Sequence, residues 1–384
     1  MTKSATREAA DKVTFTQTEV TSAIAAGDTA ARAGRKNLII NGGMQVAQRG
    51  TSTTGINSTS GFFACDRVKL FNRNGGPTYT VTQDTSAPTG FVNSFKVQCT
   101  TASASLPADH YTILRTGLIE NSDMVQSSFG TSSAKSLTYS FWVKANKTGD
   151  QLVMFVDHKN QKEIGQVFTI STADTWEKKV ITVVGNTGSS FDNSSSLGLS
   201  VDFYLAVGTN RSGGSTPTSW GDRVTTNAGS TTLNIADSTA NYFQVTGLQL
   251  ELGSVATDFE HRSYGEILAD CQRYFQKVAS GADVTGSSLG IGANYASTQM
   301  HVIIDLPITM RVKPSVAIAT GTGYYIFYRA GAGDLHNGYT YDSGSSASNR
   351  IELYNSTNMA GSVGHAGMVR CNNTNALITA DAEL

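Results

Sequence analysis

The sequence predicts a mainly β protein built from a jelly-roll β-sandwich, a short connector helix and a second, smaller β-sandwich domain. Three observations support this fold class. Strand-like segments with alternating apolar residues recur between Gly, Ser and Asn turns through most of the chain. Glycine is abundant, with 38 residues, and proline is scarce, with six, which suits short strands joined by polar turns. The length of 384 residues exceeds what one hydrophobic core normally serves, so more than one domain is expected.

Residues 1–36 differ in composition from the rest of the chain. They are rich in Ala, Thr and charge, and Phe15 is their only large aromatic residue. Glu19 to Ala26 favours a short helix and Asp28 to Arg35 a second weak helix or a linker, but neither carries enough apolar surface to fold alone. We predict a short helical or extended segment, which either becomes ordered on a partner or remains disordered.

Residues 37–262 are predicted to form the jelly roll, with about ten strands. Leu137 to Lys144 alternates in polarity, whereas Leu152 to Val156 is apolar throughout, as in a strand covered on both faces. Within Tyr242 to Leu252 the apolar positions switch parity at Gly247. A one-residue change of parity at a glycine predicts a β-bulge.

Residues 263–287 are predicted to form the connector helix and a Gly/Ser-rich link. Ser263 can serve as the N-cap, and Glu266 lies three positions on, which is the spacing of a capping box. Because a helix of about three turns is marginal alone, its apolar stripe must pack on the preceding sheet, on the next domain or on other copies of the chain. The stripe predicted to serve packing and assembly consists of Tyr264, Ile267, Leu268, Cys271, Tyr274 and Phe275.

Residues 288–384 are predicted to form the second β domain. Met300 to Leu306 alternates in polarity. Tyr324 to Tyr328 places Tyr325 and Phe327 on one face of a strand and the other three residues on the opposite face, so one of these sets is predicted to be core.

Charge and motifs exclude several classes of function. Lys and Arg total 29 against 30 for Asp and Glu, so no global field favours nucleic acid or an acidic membrane. No stretch approaches a transmembrane span, and the N-terminus lacks a signal-like apolar run, so we expect synthesis in a cytoplasm. Nucleotide-binding loops, nucleophile elbows and metal-ligand spacings of histidine are absent from the sequence. The four cysteines are far apart and are predicted to be buried, reduced thiols.

Three segments carry motifs of one known family. Leu248 to Glu266 reads L-Q-L-E-L-G-S-V-A-T-D-F-E-H-R-S-Y-G-E, and Cys271 to Lys277 continues it with C-Q-R-Y-F-Q-K. Asn37 to Gly50 reads N-L-I-I-N-G-G-M-Q-V-A-Q-R-G, and Gly61 to Val68 reads G-F-F-A-C-D-R-V. Together these segments resemble bacteriophage tail-fibre and receptor-binding proteins, which usually carry a tryptophan where Val68 stands.

The resemblance implies both an architecture and a role. It implies a carbohydrate-binding-module-like jelly roll over residues 37–262, a distal domain over 288–384, and virion attachment to tail or baseplate proteins through residues 1–36. It also implies a homotrimer in the virion tail fibre that binds host cell-surface polysaccharide. Jelly rolls of this kind sometimes hold a structural calcium ion, for which the available oxygen donors are Asn41, Asp66, Glu251 and Asp258.

Two other functions stay open. One is a structural fibre of the neck, head or collar that binds no cell. The other is a polysaccharide depolymerase, which would need two carboxylates facing each other across a cleft. Nothing in the sequence selects a pair, so we predict no catalytic residues; the available carboxylates include Glu120, Asp157, Glu251 and Asp305.

Candidate glycan-binding residues are concentrated in the second domain. Sugars are bound by aromatic faces together with polar side chains, and the segment from Tyr324 to Asp342 combines both types. The alternative is that its tyrosines pack a trimer core. Trp142 and Trp176 are predicted to be structural. The residues predicted to contact glycan are Arg329, His336, Tyr339, Tyr341 and Asp342, which we expect to be exposed, and Trp220 in the polar loop from Arg211 to Thr232.

Overall fold

The computed structural model describes residues 35–228, 233–284 and 286–384. The chain divides into two compact units, Met1–Asn37 and Leu38–Leu384. The predicted attachment segment, residues 1–36, lies almost entirely outside the described residues. Within the second unit the fold is mainly β, with antiparallel sheets and a few short helices, as the sequence predicts.

The first domain contains two antiparallel sheets. Among the described residues its strands are β1 (Ser52–Ile56), β2 (Ser60–Gly61), β3 (Lys69–Arg73), β4 (Thr78–Asp84), β5 (Ser94–Thr101), β6 (Tyr111–Glu120), β7 (Leu137–Ala145), β8 (Gly149–Asp157), β9 (Lys162–Ile170), β10 (Glu177–Val183), β11 (Leu197–Val207), β12 (Gly221–Asp222) and β13 (Tyr242–Leu252). Sheet I has the order β1-β4-β5-β13-β7-β10, and sheet II has the order β12-β9-β8-β11-β6-β3-β2. Short helical turns occupy Asn121–Met124, Val125–Ser127, Thr209–Ser212 and Thr225–Ala228.

The two sheets enclose one aromatic core. Tyr139 and Phe141 point inward from sheet I, and Phe155 and Phe203 point inward from sheet II. The ring of Phe141 lies 5.1 Å from that of Phe203, and the ring of Tyr139 lies 6.2 Å from that of Phe155. Burial of large rings between two sheets is the main force holding a sandwich together.

The predicted bulge at Gly247 is present. Pairing between β13 and β7 shifts register between Thr246 and Gln249, and Gly247 has a φ of +62°. A side chain at this position would collide with Phe91, since a Cβ here would lie 2.6 Å from that ring and 3.0 Å from Trp142. Glycine is therefore needed here both for backbone conformation and for space.

The connector helix spans Tyr264–Gln272, and its predicted capping box is present. The Ser263 hydroxyl accepts from the backbone N–H of Glu266, whose carboxylate accepts from the backbone N–H of Ser263. Most of the apolar stripe packs within the chain: Ile267, Cys271 and Tyr274 are buried against Ile40, Val46 and Leu384, with Leu268 packed at the edge and Phe275 also buried. Tyr264 differs, because it lies at the first helical position and is 55% exposed. Of the three partners left open for this stripe, most of it therefore packs against other parts of the same chain.

The second domain also has two antiparallel sheets. Its strands are β14 (Phe275–Ser280), β15 (Ser288–Ala296), β16 (Gln299–Asp305), β17 (Ser315–Ile318), β18 (Tyr325–Arg329), β19 (Ala332–His336), β20 (Thr340–Tyr341), β21 (Arg350–Asn355), β22 (Ala366–Cys371) and β23 (Leu377–Asp381). Sheet III has the order β14-β23-β17, and sheet IV has the order β19-β18-β22-β15-β16-β21-β20. Tyr325 and Phe327 belong to the core between them, which settles which face of β18 is buried.

One boundary of the second domain differs from expectation. The sequence predicts a Gly/Ser-rich link from Val278, but Phe275–Ser280 forms strand β14 and pairs with the last strand, β23. The sequence pattern misleads because only the second half of this segment is glycine-rich, while its first half pairs with a strand about a hundred residues away in sequence. The four cysteines are free and buried, as predicted. In the described part of the chain, no helix is long and apolar enough to cross a membrane.

Candidate functional site

A cleft of about 370 Å³ lies on the outer face of sheet II. Three strands supply its floor, and the segment from 208 to 228 supplies one wall. The residues that line it include three aromatic rings, three arginines and two further polar side chains: Phe71, Tyr111, Tyr204, Arg115, Arg211, Arg223, Gln161 and Glu163, with Ile113, Val224 and Thr225 between them.

Strand register places the floor residues in two adjacent rows. Phe71 on β3 lies opposite Ile113 on β6, which lies opposite Tyr204 on β11. In the next row Arg115 on β6 lies opposite Asp202 on β11. Directly paired residues share one face of a sheet, so residues far apart in sequence meet on this surface.

A buried hydrogen-bonded network fixes the polar part of the floor. The Arg115 Nε and Nη2 atoms donate to the Asp202 carboxylate at 2.9 and 2.7 Å. The Ser200 hydroxyl donates to Asp202 Oδ1 at 2.8 Å and lies 2.8 Å from His158 Nε2. Because the single hydroxyl proton goes to Asp202, His158 Nε2 must be the donor to Ser200.

Protonation states follow from this network. Burial, and after it the positive charge of Arg115, lowers the pKa of His158 to about 3, so the imidazole is neutral at pH 7. Burial alone would raise the pKa of Asp202, but the charge and hydrogen bonds of Arg115 hold it below its usual value. The floor therefore presents a fixed guanidinium–carboxylate pair rather than groups that titrate near neutral pH.

The wall of the cleft is attached to sheet II through main-chain and buried side-chain bonds. The backbone N–H of Gly165 donates to the Pro217 carbonyl at 2.8 Å. A Cβ on Gly165 would lie 2.4 Å from the Thr216 methyl carbon, so only glycine allows this close approach. The buried Glu163 carboxylate accepts from the Val224 N–H at 3.1 Å and from Asn227 Nδ2 at 2.7 Å. These contacts hold the segment against β9.

The aromatic rings of the cleft are oriented by arginines. The Arg115 guanidinium lies 4.7 Å from the centre of the Phe71 ring, and that of Arg211 lies 4.2 Å from the centre of the Tyr111 ring. Both distances fit cation–π contacts. Tyr204 is half-buried, and its hydroxyl has no hydrogen-bond partner among the described residues. Ring faces beside unpaired polar groups are the chemistry that binds a sugar, whose ring has apolar C–H faces and a polar edge.

The predicted glycan-binding residues of the second domain lie elsewhere. Arg329 is buried and pairs with Asp334, with 2.7 Å between Nη2 and Oδ2. His336 is fully buried and Tyr339 is 8% exposed, so the expectation that Arg329, His336 and Tyr339 are exposed is wrong. The rings of His336 and Tyr339 lie 4.7 Å apart. They pack against the core residue Tyr325 because β18 and β19 turn this face inward.

The remaining two residues of that set are half-buried. The Tyr341 hydroxyl donates to the Pro314 carbonyl at 3.0 Å. Asp342 accepts from the backbone N–H groups of Gly344 and Ser345 and so closes a turn. The five residues of the second domain are therefore engaged with their own neighbours, and their proposed role in binding glycan stays a prediction.

The three tryptophans have identifiable packing partners. Trp220 is half-buried; its Nε1 donates to the Val184 carbonyl at 2.7 Å and its ring lies 5.6 Å from that of Phe129. Trp142 packs beside Gly247, and Trp176 lies 5.3 Å from the Lys144 ammonium. Trp220 thus anchors the segment that forms the cleft wall, but it is not one of the residues that line the cleft.

The oxygen donors proposed for calcium form no metal centre among the described residues. Among the described residues, no group of three or more His, Cys, Asp or Glu side chains could hold a metal ion. Asp66 is bonded by Gln48, and Glu251 by Thr257, so two of the proposed calcium donors already have protein partners. Asn41 instead holds the loop from 41 to 46 through its side-chain amide.

The sequence alone does not predict the cleft. Its residues are spread from Phe71 to Thr225 and meet only through the register of sheet II. One signal does exist, because Arg115 and Asp202 are opposite charges, each within a strand of mostly buried residues. Such residues are rarely buried unless they are paired with each other.

Comparisons with known proteins give matches among solved structures. No family model matches the sequence, and no curated protein matches it. The enzymatically active domain of tailspike protein 4 of bacteriophage CBA120 is 12% identical, covers 56% of this chain and 21% of its own, and has a TM-score of 0.30. A family 29 carbohydrate-binding module in complex with mannohexaose is 12% identical. The match covers 55% of this chain and 98% of that module, with a TM-score of 0.26. Carbohydrate-binding and xylanase modules from Clostridium thermocellum, in complex with xylohexaose, are 11% identical. The match covers 58% of this chain and 29% of that chain, with a TM-score of 0.27. Carbohydrate-binding modules and a tailspike domain are therefore among the structural neighbours of this chain.

Proposed function

We propose that this protein is a phage adhesin, a tail-fibre or receptor-binding protein that attaches the virion to host-surface glycan through the cleft of sheet II. The observation that carries the glycan-binding role is the cleft itself, where three aromatic rings stand beside fixed and unpaired polar groups. The resemblance of three sequence segments to tail-fibre proteins supports the virion role. Residues 1–36 then bind the tail or baseplate.

Two measurements test this proposal together. The full-length protein is applied to a glycan array, and it is also tested for competition with phage for host cells, before and after removal of surface polysaccharide. We expect glycan binding, and competition only on cells that retain polysaccharide. Tyr111→Ala and Tyr204→Ala should each weaken binding by about tenfold, because each removes one ring face.

The matched control is Tyr264→Ala, which removes an exposed tyrosine from the connector helix. It should leave glycan binding unchanged. Wild-type protein that binds no glycan, or that fails to compete on intact cells, would reject the adhesin and favour a structural fibre. Equal losses in all three variants would show that the cleft is not the binding site.

Assembly into a homotrimer is part of the proposal, and it is supported by the outer face of sheet IV. Strand register places Tyr328 opposite Met368, and Met368 opposite Ile291. Together with Leu335 and Ile303, these side chains are between 41% and 65% exposed. An apolar sheet face of this kind is typical of a protein interface.

The occupant proposed for this face is a second copy of the chain. Arg370 lies on β22 at one side of the apolar row, and Glu352 lies on β21 at the other. Glu352 is already bonded to His301, with 2.7 Å between Oε1 and Nδ1, so packing of the apolar rows is the main contact expected between copies related by rotation. The connector helix contributes little to this contact, because its stripe is already covered within the chain.

The proposal assigns no enzymatic activity to this chain. The buried carboxylates at the cleft, Glu163 and Asp202, are each bonded to protein groups. Incubation of the protein with a polysaccharide that it binds should release no reducing ends. Release that is abolished by a carboxylate substitution would establish a depolymerase instead.

A further inference from the structure

Two arginines on the wall of the sheet II cleft have cationic groups available for a ligand. Arg211 lies in the helical turn Thr209–Ser212, where its Nε donates to the Asp109 carbonyl at 3.0 Å and its guanidinium covers the Tyr111 ring. Arg223 follows β12, and its backbone N–H donates to the Gln161 carbonyl at 2.9 Å. Among the described residues, the Arg223 guanidinium forms no hydrogen bond or ion pair.

The charges around the cleft do not balance. Arg115 is neutralised by Asp202, and the neighbouring Asp222 pairs with Lys162 outside the cleft. Glu163 is buried beneath the wall and accepts two hydrogen bonds from it. Arg115, Arg211 and Arg223 stand against Glu163 and Asp202, so three positive charges face two negative ones and the net charge is +1.

Two ionisable groups beside the cleft have lowered pKa values, for which burial is the first cause and the arginines of the cleft a further one. The pKa of His158 is lowered mainly by burial, and then by Arg115, with smaller contributions from Arg223 and Lys69. The pKa of Lys69, in the same row as Arg115, is also lowered, first by burial and then by Arg115. A bound anion would relieve this repulsion.

We propose that the ligand of this cleft is an acidic glycan whose carboxylate is held by Arg223 and Arg211 while a sugar ring packs on the aromatic floor of the cleft. This inference rests on the proposed glycan-binding function and specifies its ligand class. A guanidinium matches a carboxylate with two parallel hydrogen bonds, and a partner-free arginine at the mouth of an aromatic cleft is placed to form them. Phe71 and Tyr204 complete the floor on which adjacent sugar residues rest.

The test compares acidic glycans with neutral versions of themselves. Full-length protein is applied to an array of bacterial capsular polysaccharides that contain uronic acid, each printed as isolated and after reduction of its carboxyl groups. We expect binding to at least one acidic polysaccharide, with loss of that binding after reduction. Arg223→Gln should weaken binding by about tenfold, since it removes one charged hydrogen-bonding partner.

A matched control removes the same charge elsewhere. Lys178→Gln lies on β10, on the exposed face of sheet I, and should bind as the wild type does. Binding that survives carboxyl reduction, or that is confined to neutral glycans, would overturn the acidic ligand and leave the glycan-binding function standing. Absence of binding to any acidic or neutral glycan would reject both. Equal loss in the two variants would mean that only overall charge matters, which also rejects the Arg223 site.

Discussion

Arg273 and Glu120 form a bidentate ion pair in which two guanidinium nitrogens each lie 2.9 Å from a carboxylate oxygen. Glu120 is the last residue of β6 in the jelly roll, and Arg273 directly follows the connector helix. The Tyr274 hydroxyl donates to the same carboxylate at 2.6 Å. The end of one sheet II strand is thus bonded to the start of the second domain, and the helix between them has a fixed position.

We expect Glu120→Ala to lower the free energy of unfolding by about 3 kcal/mol, because it leaves the Tyr274 hydroxyl and part of a guanidinium without a partner. Urea denaturation followed by fluorescence would measure this. The control is Arg350→Ala, which breaks an exposed pair with Asp305 and should cost less than about 0.5 kcal/mol. Equal losses in the two variants would show that the Glu120 pair contributes no more than a surface pair.

Gly247→Ala should be strongly destabilising. The new methyl group would meet Phe91 at 2.6 Å, and the backbone would have to keep a φ of +62°. We expect a loss of about 2–4 kcal/mol in the free energy of unfolding. Gly265→Ala provides the contrast, since this exposed helical position has no atom within 4 Å of the added carbon. It should raise stability by roughly 0.5–1 kcal/mol, and a Gly247 variant as stable as the wild type would contradict the assigned bulge.

Stability should fall as the pH is lowered from about 6.5 towards 5. Burial lowers the pKa of His158 to about 3 and that of His336 to about 4, both from an ordinary value of 6.5. In this window the histidines are protonated in the unfolded chain but remain neutral in the folded chain. Their contribution to the free energy of unfolding is therefore fully present above about pH 6.5 and is lost as the pH falls. Well below pH 6.5 each histidine contributes a slope of about 1.4 kcal/mol per pH unit.

Thermal unfolding at several pH values between 7 and 5 would measure this slope. In His158→Gln the amide nitrogen can still donate to Ser200, but no imidazole is present to titrate. The variant should therefore show a smaller decrease in stability than the wild type over the same range. An identical pH dependence in the two proteins would mean that His158 is protonated equally in the folded and unfolded states.

Self-association should depend on the apolar face of sheet IV. Met368→Lys places a charge at the centre of that face and should shift the protein to a monomeric mass, measured by light scattering at micromolar concentration. Val180→Lys is the matched control, because it alters an equally exposed apolar residue on sheet I. A wild-type protein of monomeric mass would reject the assembly, and a trimeric Met368 variant would place the contact elsewhere.

Local patterns in the sequence predict the local features of the fold. The bulge at Gly247 and the capping box of Ser263 depend on residues within a few positions of each other, so both can be found without a structure. The burial of His336 cannot, because it depends on which face of β19 turns towards Tyr325. Two strand faces with similar residues look alike until the register of the whole sheet is known.

The cleft shows the same limit more strongly. Arg115 and Asp202 are 87 positions apart, and no rule of spacing connects them. The sequence prediction places the glycan site in the second domain because aromatic residues are frequent there, but those rings pack against one another. Cleft residues are contributed singly by separate strands, so no short segment stands out in composition.

The attachment of the cleft wall through Gly165 and Glu163 has a consequence for how the ligand of the cleft can change. Two of the three bonds from these residues reach the main chain of the wall, at Pro217 and Val224, and the third reaches the side chain of Asn227. Apart from Trp220, which anchors the segment, side chains between these points can change without moving the backbone that carries Arg223. Point substitutions in one Ser/Thr-rich segment could therefore change the ligand of the cleft while the fold of sheet II stayed the same.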